Sequence, residues 1–168
     1  WDCKGIEYGA ISANIHIRNL TCIGRYAGIA LGSEMSGGIF NVTVEDVRTP
    51  YANGIAHIKW SALRGGAIRN ITFQNMVAVG LLTQAGLLVD GYYGDPNPQC
   101  PDDWTPPSLT QVSQITFQDI DATQAYVEST IDDGLFHLLG LADAPIQDVV
   151  LENVTFADSG NQTGWKCA

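Results

Sequence analysis

Basic residues are scarce in this chain of 168 residues: eight lysines and arginines stand against 18 aspartates and glutamates, a formal net charge of −10. No Lys/Arg cluster occurs, so the electrostatic footprint of a nucleic-acid-binding protein is missing and no nucleic-acid partner is expected. No apolar run approaches the length of a membrane span, so no membrane role is expected, and no signal peptide is visible. The four cysteines, Cys3, Cys22, Cys100 and Cys167, form no Cys-x-x-Cys pair. A zinc site is therefore not expected, nor any other metal or cofactor. Helical periodicity with caps is also missing throughout. The chain opens at Trp1 without a methionine, as a mature form or an internal piece of a longer chain would.

What is present is a phrase that returns five times: an amide or acid, then apolar, any, apolar, any, amide or acid, apolar. It reads Asn14-Ile-His-Ile-Arg-Asn-Leu20, Asn41-Val-Thr-Val-Glu-Asp-Val47, Asn70-Ile-Thr-Phe-Gln-Asn-Met76, Gln114-Ile-Thr-Phe-Gln-Asp-Ile120 and Asp148-Val-Val-Leu-Glu-Asn-Val154. The starting positions lie 27, 29, 44 and 34 residues apart, which suits a stacked architecture whose turns stay constant while its loops vary. Alternation within each phrase is the period-two signature of a strand with one buried face. A second apolar segment follows four of the five: Gly28-Ile-Ala-Leu31, Gly54-Ile-Ala-His-Ile58, Gly86-Leu-Leu-Val89 and Gly134-Leu-Phe-His-Leu138.

Two strands per repeat are too few for a propeller blade, and the leucine-rich pattern is absent. The expected fold is all-β, a right-handed parallel β-helix, incomplete at its N-terminal end. An antiparallel sandwich is the alternative. In such a solenoid the recurrent Asn is expected to point inward and hydrogen-bond its counterpart in the next coil, while apolar positions stack into a core that no single coil buries alone. Residues 1–168 read as one partial domain with a Pro-rich insertion at about 91–112. Cys100 lies in that insertion, in Asp95-Pro-Asn-Pro-Gln-Cys-Pro101, a natural place for a bridge. Four cysteines allow three pairings, and free buried thiols are the alternative. Sequons at Asn19, Asn41, Asn70, Asn153 and Asn161 largely coincide with the repeat, so they argue only weakly for secretion, with Asn161 the best acceptor.

The segment Ala27-Gly-Ile-Ala-Leu-Gly-Ser-Glu-Met-Ser-Gly-Gly-Ile-Phe-Asn-Val42 closely resembles the polygalacturonases, glycoside hydrolase family 28, and most of all their exo-acting and plant-type branch. Gly54-Ile-Ala-His-Ile-Lys-Trp-Ser-Ala-Leu-Arg-Gly-Gly-Ala-Ile-Arg-Asn-Ile71 resembles the Arg-Ile-Lys region of that family and the strand entry after it. Trp1-Asp2 with Tyr8-Gly9 resembles the stretch that follows the paired catalytic aspartates, and Trp165-Lys-Cys167 a late plant-type element. The resemblance implies a right-handed parallel β-helix. It also implies inverting hydrolysis of α-1,4 bonds between galacturonates, with three aspartates in an Asn-Thr-Asp and an Asp-Asp motif.

Those motifs would lie N-terminal to Trp1, so the acid–base aspartates are expected to be absent and the catalytic residues of this chain are unknown. The Asp-Asp pairs that do occur, Asp102-Asp103 and Asp132-Asp133, lack the family's flanking residues. Tyr26 stands near the position where many members have a supporting histidine, and His57-Ile58-Lys59 stands for Arg-Ile-Lys. Substrate binding is expected at Lys59, a compact cation for a sugar carboxylate, and at His57, two residues away on the same strand face. Arg64 is expected to reach a carboxylate or to brace its loop. Glu34 is expected to line the cleft or to shape its turn, and Tyr26 to line the cleft. Trp60, Trp104 and Trp165 are sugar-stacking candidates or buried anchors. His16 and His137 read as structural.

The chain is therefore expected to be the C-terminal part of a secreted or cell-wall polygalacturonase-like hydrolase, a monomer whose partner is a polysaccharide, galacturonan, and to be inactive alone. A non-catalytic carbohydrate-binding or adhesin-like β-helix is the alternative. A pectate lyase would need clustered calcium-binding carboxylates, which the strands do not offer.

Overall fold

The computed structural model describes residues 2–82, 85–94, 100–101, 103–127, 135–157 and 165–167. A short helix, α1 (Asp2–Glu7), precedes ten strands: β1 (Ser12–Ile23), β2 (Ala27–Leu31), β3 (Ile39–Tyr51), β4 (Gly54–Lys59), β5 (Ala67–Leu82), β6 (Leu87–Asp90), β7 (Gln111–Val127), β8 (Phe136–Leu139), β9 (Gln147–Phe156) and β10 (Trp165–Cys167). The odd strands form one sheet in the order β1-β3-β5-β7-β9, the even strands a second in the order β10-β8-β6-β4-β2. All pairings in both sheets are parallel. Strands consecutive in sequence never pair; partners come from successive turns of the chain. That topology is a right-handed parallel β-helix and excludes the antiparallel sandwich, which joins neighbouring strands by hairpins.

Each repeat phrase is the middle of an odd strand, and its two polar ends are bends. Asn14 and Asn19, Asn41 and Asp46, Asn70 and Asn75, Gln114 and Asp119, and Asp148 and Asn153 all hold positive φ, between 51° and 59°. Asn and Asp tolerate this left-handed conformation better than other non-glycine residues, which is why amides and acids recur there. The expectation of inward amides is corrected: these side chains are exposed on the bend. They still form ladders. Asn41 Nδ2 donates to Asn14 Oδ1 at 3.1 Å, Asn70 Nδ2 to Asn41 Oδ1 at 2.9 Å, and Asn153 Nδ2 to Asp119 Oδ1 at 2.7 Å; Asn75 donates to Asp46. A positive φ turns the amide away from the core, so water and the neighbouring coil share its hydrogen bonds.

Between the bends the apolar positions point inward and stack in register: Val44, Phe73 and Phe117 are successive partners and fully buried. The Phe73 and Phe117 rings lie parallel at 5.3 Å, and Phe136 from the opposite sheet meets Phe117 edge-on at 5.7 Å. Each such ring contributes roughly 1.5–3 kcal/mol by leaving water.

One further expectation needs correction. A helix does exist, α1, although six residues are too few to show a periodic stripe. Its stability comes from contact: a side chain on Gly5 would press on the Gly37 backbone at 3.0 Å, and a disulfide joins Cys3 to Cys100 with Cα atoms 5.7 Å apart. The fifth coil also carries a second strand, β10, paired with β8. Cys22 keeps a free thiol, and burial raises its pKa. No helix among the described residues is long and apolar enough to cross a membrane.

Candidate functional site

Alternation along β4 sends Ala56 and Ile58 into the core and leaves His57 and Lys59 on the outer face. Ala56 and Ile58 are 1% and 0% exposed, and they pair with the buried Leu87 and Val89 of the next coil. The outer face is covered by a residue the sequence reading did not single out. The Lys59 ammonium lies 4.3 Å from the centroid of the Tyr93 ring, and the His57 ring meets the same tyrosine edge-on at 5.7 Å. His57 is only 9% exposed as a result, and its Nε2 has no hydrogen-bond partner among the described residues.

Tyr93 is held there by the turn after β6. Its backbone N–H donates to Trp60 O at 3.1 Å, Gly91 N–H donates to Leu139 O at 2.8 Å, and Asp90 Oδ1 accepts from Tyr92 N–H at 2.8 Å. Gly91 is required because a side chain there would meet the Trp60 ring at 2.9 Å. Trp60 itself is wholly buried, so it anchors this turn and offers no surface to a sugar. The only hint of Tyr93 in the sequence is the pair of tyrosines in Gly91-Tyr-Tyr-Gly94, at the start of the Pro-rich insertion.

Burial, and secondarily the neighbouring Lys59 charge, pushes the His57 pKa down to about 4. Around neutral pH the pair is therefore one cation beside one neutral imidazole. Together they can neutralise a carboxylate and hydrogen-bond a carboxylate or hydroxyl.

The Gly32–Gly38 phrase packs against this strand. Gly32 holds φ +89°, and a Cβ there would fall 2.0 Å from the Lys59 carbonyl oxygen. Arg64 is buried, and its Nη2 lies 3.5 Å from Ser33 Oγ. It thus braces the phrase against the turn that carries Gly65 and Gly66, both at positive φ. Thr110 Oγ1 closes that turn by donating to Gly65 O at 2.8 Å. Glu34 is exposed and lines a cleft of about 320 Å³ with Lys4, Tyr8 and Ser36, under the helix that the disulfide pins.

The structure brings His57 and Lys59 together, sets Glu34 on the adjoining Gly32–Gly38 phrase, and places Arg64 in the turn after β4, from which it reaches Ser33 of that phrase. Tyr26 it places elsewhere: 83% exposed, before β2, at the opposite end of the strand from Gly32, about 20 Å away by strand geometry. His16 is exposed with its Nε2 at 2.6 Å from Glu45 Oε1, and His137 is buried. The described residues hold no group of three or more His, Cys, Asp or Glu side chains able to bind a metal. Asp102 and the Asp132-Asp133 pair lie outside the described residues, as do Asn161 and the side chains of Trp165 and Cys167. Asp103 is exposed and Trp104 partly buried.

The parallel β-helix agrees with what comparison with known proteins finds. Residues 2–168 match the model of the glycosyl hydrolases family 28, and the chain belongs to that family. It is also 29% identical over 170 residues to a probable polygalacturonase of Vitis vinifera, a match covering 99% of this chain and 32% of the relative. The chain thus spans about a third of the length of the curated relative it matches.

Proposed function

We propose that this chain forms one wall of the substrate cleft of a polygalacturonase-like hydrolase. The observation that carries the reading is the Lys59 ammonium held over Tyr93 beside a neutral, buried His57. In a chain with eight basic residues and a net charge of −10, a cation fixed on the outer face is suited to a uronate carboxylate. The substrate is a galacturonan whose α-1,4 bonds are hydrolysed with inversion, outside the cell or in a cell wall. Lys59 takes the carboxylate, His57 hydrogen-bonds the sugar, and Arg64 positions the Gly32–Gly38 phrase. Glu34 stands at the neighbouring cleft, and Tyr26 offers a ring to a more distant part of a long chain. The acid–base aspartates are supplied by residues outside this chain, which binds as a monomer and does not cleave.

The test combines calorimetric titration of oligogalacturonate with an assay of reducing ends released from polygalacturonic acid. Saturable binding lost in Lys59→Gln, without release, is expected. Release by this chain alone would overturn the placement of the acid–base groups, and absence of binding would overturn the Lys59 assignment.

A further inference from the structure

Among the described residues the odd sheet ends in two strands, β1 and β9, that pair on one side only; the even sheet ends alongside it, with β2 at the β1 end and β10 at the β9 end. Between those ends the core is dry: Val42, Ile71 and Ile115, successive partners across β3, β5 and β7, are 1%, 0% and 0% exposed. The same column opens at Ile15 of β1, 39% exposed, and its neighbour opens at Leu20, 37% exposed. At β9 the columns end on Val149, Leu151 and Val154, each only half-buried. Helix α1 does not cover the β1 end. It rests against Gly37 and Gly65 and is tied to Cys100, all of them later along the solenoid.

The two ends are complementary. Strand β1 carries Arg18 and no acidic residue, whereas β9 carries Asp148 and Glu152 and no basic one. Register dictates what would meet, because Arg18 heads the column that runs through Glu45, Gln74 and Gln118 to Glu152. The bend ladder also has a direction: Asn41 donates to Asn14, Asn70 to Asn41, and Asn153 to Asp119. Each amide reaches towards the coil before its own. Continued past the ends, that order leaves Asn14 and Asn19 as donors and Asp148 and Asn153 as acceptors.

We propose that the free edges of β1 and β9 dock a second copy of this chain, head to tail. Strand β9 of one copy pairs in parallel with β1 of the next, setting Val149 against Ile15, Leu151 against Ile17, Val154 against Leu20 and Glu152 against Arg18. Asn14 donates to Asp148, and Asn19 to Asn153. The apolar columns then run through the junction, and the open ends of the core leave water. An unpaired edge strand is a template for such pairing. Because the two surfaces differ, the contact does not close on itself and copies add in a row. His57 and Lys59 lie on the outer face of the second coil and not on an end, so each copy keeps its own sugar site.

Sedimentation velocity of the whole chain over a wide concentration range tests this. The wild type should grow with concentration past the dimer. Arg18→Glu and Glu152→Arg each set like charges against one another at the junction, and each should need roughly tenfold more protein to associate. Mixing the two variants in equal amounts restores opposite charges at alternating junctions and should recover association, as should the double variant Arg18→Glu with Glu152→Arg. Circular dichroism identical to the wild type shows which variants are folded, and the double variant decides the matter where a single variant is not. A wild type that stays monomeric throughout overturns the proposal. So does a dimer that stops growing, which would mean that like ends pair. Failure of both the mixture and the folded double variant to associate overturns the Arg18–Glu152 register and the proposal with it.

Discussion

The Lys59 ammonium and the Tyr93 ring, 34 residues apart in sequence, meet at 4.3 Å because strand β4 and the turn after β6 occupy successive coils. Neither residue alone makes the site. The strand gives the lysine its outward direction, and the turn brings a ring that limits where its charge can go.

Removing that ring should loosen the cation. Tyr93→Ala is expected to weaken oligogalacturonate binding about two- to fivefold, the worth of a partly exposed cation–π contact. Tyr93→Phe keeps the ring face and should stay within twofold of the wild type. Titration calorimetry of the two variants checks this, and equal losses would place the effect on the phenol hydroxyl.

His57 should make stability depend on pH. Its folded pKa, about 4, lies below the ordinary value of 6.5. Between those values the unfolded chain binds a proton that the folded chain does not. Stability is therefore full above about pH 6.5, falls as pH falls, and levels off below about pH 4. The loss is expected to be about 2 kcal/mol. Urea midpoints of wild type and His57→Gln across this window measure it, and the variant should show a shallower slope.

The exposed amide ladder should matter more through backbone conformation than through burial. Asn41 holds φ 55°, accepts from Asn70 and donates to Asn14. Asn41→Ala should cost about 2 kcal/mol, from left-handed strain and two lost hydrogen bonds. Asn41→Gly removes the same hydrogen bonds without the strain and should cost less. A larger loss in the glycine variant, read from urea unfolding, would assign the effect to the ladder.

The Cys3–Cys100 bridge closes a long stretch of chain, with a sequence separation of 97. Cys3→Ser is expected to lower stability by about 3 kcal/mol, chiefly by freeing the unfolded chain. Denaturant curves with and without reductant should converge in this variant and differ in the wild type. The same change releases α1 from the Pro-rich segment and should open the cleft beside Glu34.

Much of the coil was legible in the residues because a strand's period of two is a local property. Ile71 and Phe73 had to share a face whatever lay above them, and so did His57 and Lys59. The recurrence of Asn and Asp was equally plain, but its cause was not: a positive φ places Asn41 and Asn70 outside, whereas stacking alone suggested the interior. The helix at Asp2–Glu7 left no periodic trace because contact with Gly37 and a covalent tie sustain it.

By itself the sequence determined which residues alternate, where the chain bends, and that the five phrases stack, since each follows from side-chain chemistry within a few neighbours. Only the tertiary structure decided that Tyr93 covers His57 and Lys59, that Arg64 braces Ser33, that Tyr26 stands a strand's length away, and that Cys3 finds Cys100. Those relationships depend on how far one coil is offset from the next and on where variable loops fold back. Loop geometry is fixed by contacts between residues distant in the chain, and no local pattern encodes them.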